Sequence, residues 1–119
     1  MSDAEILDSQ TLARLKEWGG ENLVAQMVQL FLKNSPSRIE QIRAGVDTGD
    51  IRETEKGSHS LKSSAANVGA HAVRTISAAL ERAAHDGNVD EVTRLVPELE
   101  RAYEQARGAL EAIQRGSNP

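Results

Sequence analysis

The 119-residue sequence has no cysteine, so neither disulfides nor thiol chemistry is open to it. Aromatic residues are scarce, limited to Trp18, Phe31 and Tyr103. Set among many Ala, Leu, Glu and Arg, they suit helices packed through small side chains and not a β-sandwich. No apolar run approaches the ~18 residues of a membrane span, and no signal-peptide pattern opens the chain. Basic charge is not in surplus either: 14 Lys and Arg stand against 18 Asp and Glu, a formal net charge of −4. That balance argues against a nucleic-acid partner, which would want a basic face. The expectation that remains is a cytoplasmic monomer that engages neither membrane nor nucleic acid.

Internal repeats and low-complexity linkers are also missing, and the length suits one domain, residues 1–119, ordered from about residue 5 to 115. Apolar residues recur at helical spacing through almost all of it. Ile6 and Leu7 interrupt a polar start and are expected to pack. Ser9 or Asp8 can cap a short helix that runs to about Trp18, where Gly19-Gly20 stops it. From Glu21 onward, Val24, Val28, Phe31, Ser35, Ile39, Ile42 and Val46 step by three or four residues without a slip. Ser35-Pro36 could break this run, with Ser35 as a cap and Pro36 at a first helical position. The unbroken phase favours one long helix kinked at Pro36.

Thr48-Gly49-Asp50 ends that helix, and Asp50 can cap the next, which covers about Ile51 to Val68. Val73, Ile76, Leu80 and Ala83 carry a further helix to the Asp86-Gly87 turn. Asn88 or Asp90 opens the last helix, where Pro97 is expected to bend the helix without ending it. The predicted fold is all-α: an antiparallel up-down four-helix bundle with a short additional N-terminal helix.

The third of these helices has two unequal faces. Leu61, Ala65 and Val68 share a stripe that runs back through Ser58 and Thr54 to Ile51. His59, Lys62, Ser63 and Ala66 share another, with one imidazole, one ammonium a turn away, and otherwise small side chains. Imidazole is nucleophilic and partly neutral near neutral pH. A nucleophile and a cation with no bulk around them suit the close approach of something large and anionic. Gly69 stands where a left-handed helix cap is expected.

The run from His59 to Ala70, H-S-L-K-S-S-A-A-N-V-G-A, resembles the signature of histidine-containing phosphotransfer (HPt) domains of two-component phosphorelays, which is close to H-x-L-K-G-S-A-x-x-h-G-A with h apolar. It agrees at His59, Leu61, Lys62, Ser64, Ala65, Val68, Gly69 and Ala70, and departs at Ser63, where the family usually has Gly. Phe31-Leu32, Leu80-Glu81, Gly87-Asn88 and Pro97-Glu98-Leu99 also fall where the family has them. The resemblance implies a phosphocarrier in a His–Asp relay, with the phosphoryl group accepted on Nε2 of His59 from a receiver-domain aspartate and passed to another receiver. It implies that Lys62 stabilises the phosphoryl group, and that receiver domains and a sensor or hybrid histidine kinase are the partners. Mg²⁺ then belongs to the receiver and no cofactor to this chain. Ser63, Ala66, Ser64, Lys56 and Glu55 are the expected docking residues, Ser63 because a bulky side chain there would stand between the imidazole and the incoming aspartyl-phosphate.

The sequence has no G-x-x-x-x-G-K-[ST], no Gly-rich kinase loop and no pair of acids next to His59 in sequence to hold magnesium. The chain is therefore expected to be no enzyme and not to phosphorylate itself from ATP. His71 and His85 lack metal-ligand spacing with His59; the first reads as a surface residue, the second as an imidazole suited to a helix C-terminus. The alternative function is a helical adaptor that binds a receiver or another signalling protein without carrying phosphate, and the presence of His59 and Lys62 argues against it.

Overall fold

A computed structural model describes residues 6–116. Among them all regular structure is helical, in four elements: α1 (Ser9–Thr48), α2 (Ile51–Val68), α3 (His71–His85) and α4 (Val89–Gly116). No helix is long and apolar enough to cross a membrane. Successive helices pack on one another, and α4 returns to pack against α1. At a rise of ~1.5 Å per residue the 28 residues of α4 extend ~42 Å. That nearly fills the 46 Å long axis of the molecule, so the helices lie along it as an up-down bundle.

α1 contains the break that the glycine pair announces. Gly20 has φ 71° and ψ −167°, outside helical geometry, and divides a short N-terminal stretch from the long stretch beyond. Asp8 is the N-cap, and its carboxylate accepts from the Gln10 amide at 3.0 Å. Ile6 is buried and Leu7 half-buried.

Pro36 sits inside α1 without ending it. Ser35 is therefore no cap: its hydroxyl donates to the carbonyl of Phe31 one turn back and accepts the Tyr103 hydroxyl proton from α4 at 2.9 Å. Phe31 and Tyr103 meet ring to ring at 6.0 Å, so three of these side chains form one joint between α1 and α4. Pro97 likewise lies within α4, and the helix continues through it. Asn88 opens α4 by accepting from the Glu91 amide at 3.1 Å. Asp50 departs from expectation, because its side chain makes no capping bond to α2. The Asp50 backbone carbonyl accepts the Glu53 amide instead, at 3.0 Å.

α2 is the central helix of the packing. Thr54, Ser58, Leu61, Ala65 and Val68 are all buried, on the stripe that the periodicity marks out. Its contact with α1 is close because Gly57 has no side chain. A Cβ there would come within 2.9 Å of Ile42 and 3.1 Å of the Arg38 carbonyl. Thr54 closes the same contact with a hydrogen bond to the Ile42 carbonyl at 3.1 Å. The buried hydroxyls of Thr54 and Ser58 are both satisfied by backbone carbonyls, so the polar residues of the stripe add no orphaned groups.

Leu61 is fully buried at the middle of this stripe. Leu61→Ala is expected to destabilise the bundle by ~2–5 kcal/mol through lost burial and the cavity left behind. Denaturant unfolding measures it, and an unchanged midpoint would mean that α2 is rotated from the orientation described.

Candidate functional site

With one stripe of α2 buried, its opposite face is held toward solvent, and His59 stands in the middle of it with a side chain 63% exposed. Ser63 and Ala66, one and two turns on, are exposed as well. Lys62 is half-buried between α2 and α3, and Ser64 is half-buried. The structure thus brings His59, Lys62, Ser63 and Ala66 to one region, with small side chains on the C-terminal side of the imidazole. Lys56 is exposed one turn before His59. Glu55 is turned aside to α3, where its carboxylate meets His85 Nδ1 at 3.1 Å.

The residue that organises the site is Glu81, on α3. Its Oε2 lies 2.7 Å from His59 Nδ1 and its Oε1 lies 2.7 Å from Lys62 Nζ. One carboxylate therefore holds both candidate side chains of α2, His59 and Lys62. Its pKa is drawn below the ordinary 4.5, first by the hydrogen bond from Lys62 and then by that from His59, against an opposing contribution from partial burial. The group is an anion at neutral pH and can only accept. The hydrogen bond from His59 must then be donated by Nδ1–H, which in the neutral imidazole leaves the lone pair on Nε2.

Nothing in the residues around His59 marks Glu81 as its partner, and the sequence reading does not select it. The available signal is the register of the α2–α3 hairpin. His59 and Glu81 are equally distant in sequence from Ala70, and so are Glu55 and His85. The same antiparallel register gives His85 a carboxylate partner across the helix pair, in addition to its place in the last turn of α3. His71 is exposed in the first turn of α3. Among the described residues no group of three or more His, Asp or Glu side chains gathers to hold a metal.

A buried-stripe helix with an exposed histidine, a lysine one turn on and a left-handed glycine at its end falls within the segment 26–109, which matches the family model described as the Hpt domain. The chain belongs to the Hpt family. Its fold agrees with solved HPt proteins over nearly the whole length. Histidine-containing phosphotransfer protein B (HptB) from Pseudomonas aeruginosa PAO1 superposes with a TM-score of 0.87 at 25% identity, over 95% of this chain and 98% of that one. The maize histidine-containing phosphotransfer protein ZmHP2 superposes with a TM-score of 0.84, also at 25% identity, over 97% of this chain and 87% of that one. Curated protein sequences return no match. Hpt proteins are phosphocarriers of phosphorelays and not kinases, which is the class of activity this bundle supports.

The electrostatics of Glu81 can be measured directly. Its pKa is depressed on folding, so its contribution to stability is present above the unfolded carboxylate value and is lost as pH falls through the folded one. In a carboxyl ¹³C titration, Lys62→Ala is expected to raise the Glu81 midpoint more than His59→Gln does, because the Lys62 bond is the larger cause. Equal or reversed shifts would assign the carboxylate chiefly to the imidazole.

Proposed function

We propose that the chain carries a phosphoryl group on Nε2 of His59, taking it from the aspartate of a phosphorylated receiver domain and passing it to another receiver. The observation that carries this reading is the placement of the imidazole: Nδ1 is tied to Glu81 at 2.7 Å while most of the ring stands in solvent. Nε2 is then the nitrogen with both a lone pair and an open approach.

In the forward step the Nε2 lone pair attacks phosphorus, the bond between phosphorus and the aspartyl oxygen breaks, and its electron pair leaves with the carboxylate. No proton has to move. The imidazole keeps Nδ1–H and becomes cationic, and the Glu81 carboxylate already sits against that proton. Return of the group to a second receiver reverses the same bonds. Transfer of this kind depends mainly on positioning and on stabilising spread-out negative charge. Lys62 supplies a flexible cation one turn from the acceptor, and Glu81 keeps it in place before the phosphoryl group arrives. The partner brings the aspartate and its Mg²⁺, and no cofactor is assigned to this chain.

Two substitutions test the reading. His59→Gln is expected to abolish acid-labile labelling from a phosphorylated receiver while leaving helicity and thermal unfolding near wild type, since the ring buries little surface. Label appearing on His71 or His85 in that variant would contradict the assignment. Ser63→Gln is expected to slow transfer from a receiver strongly but to affect phosphoramidate, a small donor, much less. The long side chain one turn beyond His59 covers the approach that a protein partner needs for near-attack geometry. Wild-type transfer from the receiver in Ser63→Gln would remove Ser63 and Ala66 from the docking surface.

A further inference from the structure

The N-terminal half of α2 is ordered in charge as Arg52, Glu53, Glu55, Lys56. Arg52 and Glu55 are three residues apart, and so are Glu53 and Lys56, the separation at which ion pairs form along a helix. Neither pair forms. The Glu53 carboxylate accepts from Gln41 on α1 at 2.7 Å. The Glu55 carboxylate is taken by His85 on α3 at 3.1 Å, and Glu81 is taken by Lys62 and His59. Both acids that could have neutralised Arg52 and Lys56 within the helix are thus held by side chains of its two neighbours.

Arg52 and Lys56 are exposed, and among the described residues neither has an ion-pair or hydrogen-bond partner. They line one depression with His59, Ser60, Glu55 and Glu81. Two nearby acids are held by no cation: Asp86, which borders the groove on the α3 side together with Arg82, and Glu53, whose carboxylate is turned to the neutral Gln41 amide on α1. A chain of net charge −4 therefore presents, in the depression beside His59, two cations that no carboxylate of the described residues pairs with.

We infer that Arg52 and Lys56 are docking cations that select a receiver whose surface carries carboxylates beside its phosphorylated aspartate, an inference that rests on the phosphocarrier reading above. This places a charged half of the contact on the N-terminal side of His59, opposite the small, nearly neutral half formed by Ser63 and Ala66. Cations at the rim of a contact act on encounter and on the rejection of wrong partners. His85 acquires an indirect role as a positioning residue: by holding Glu55 across the α2–α3 groove it keeps Arg52 free.

The test uses the full chain and the purified receiver domains of the host, each phosphorylated with acetyl phosphate, carrying forward the receiver that transfers fastest to wild type. The double variant Arg52→Glu/Lys56→Glu is expected to raise the half-saturating receiver concentration about tenfold or more at low salt, with the maximal rate within about twofold. The difference is expected to shrink as salt rises. His85→Ala is expected to raise half-saturation by about two- to threefold, because the released Glu55 pairs with Arg52, and adding Glu55→Gln is expected to restore it. Wild-type half-saturation and salt dependence in the double variant would overturn the docking role. An unchanged His85→Ala, or no recovery on adding Glu55→Gln, would overturn the role of His85. If wild type takes no label from any receiver or from phosphoramidate, the carrier reading itself fails, and the inference with it.

Discussion

At the corner between α2 and α3 the chain turns through Gly69 in a left-handed conformation, with φ 74°. Two constraints meet at this residue. A side chain there would be strained by the backbone angle, and its Cβ would lie 2.9 Å from the Asp8 carbonyl. Asp8 in turn donates its amide to the Gly69 carbonyl at 2.7 Å, which ties the start of α1 to the corner. The corner fixes where α3 leaves α2, and therefore which residue of α3 comes level with His59. That residue is Glu81, and both the tautomer of the imidazole and the position of the Lys62 ammonium follow from it.

The His59–Glu81–Lys62 arrangement contributes little to holding the fold together. Lys62 and Glu81 are half-buried but still open to solvent, and solvent-screened pairs near a surface are worth about 1 kcal/mol, whereas truncating one fully buried leucine of the same helix costs ~2–5 kcal/mol. The bundle is held by the stripe through Leu61, by the close contact at Gly57 and by the Ser35–Tyr103 joint. The carboxylate instead fixes orientation. It presents one ring nitrogen outward and stands ready to balance the charge that the ring would acquire in the proposed transfer. A site built this way keeps its chemistry at the surface, where a partner can reach it, while its geometry is set by packing beneath.

Much of this was legible in the sequence. The buried stripe of α2, the exposed face opposite it and the helix through Pro36 all follow from an apolar phase that does not slip, because periodicity reports burial directly. The break at Gly19-Gly20 was legible because φ > 0 at Gly20 is a local demand. What was not legible depends on contacts between helices. Asp50 has the right side chain for a cap and does not use it; the Glu53 amide goes to its backbone carbonyl. Ser35 resembled a cap and serves as a buried hydroxyl, since only the position of α4 supplies the Tyr103 hydroxyl. Glu81 looked like one more surface acid until hairpin register placed it beside His59. Glu53 and Glu55 have cations at helical spacing on their own helix and bond across to α1 and α3 instead.

The central claim is that Glu81 holds the proton of neutral His59 on Nδ1 and so leaves Nε2 as the nucleophile. Long-range ¹H–¹⁵N correlation spectra of the imidazole, recorded at a pH where the ring is neutral, read this directly. The account predicts a protonated, pyrrole-type Nδ1 and an unprotonated, pyridine-type Nε2 in wild type, with that preference lost in Glu81→Ala, which removes the acceptor altogether. A wild-type ring protonated at Nε2, or a preference that survives Glu81→Ala unchanged, would contradict it.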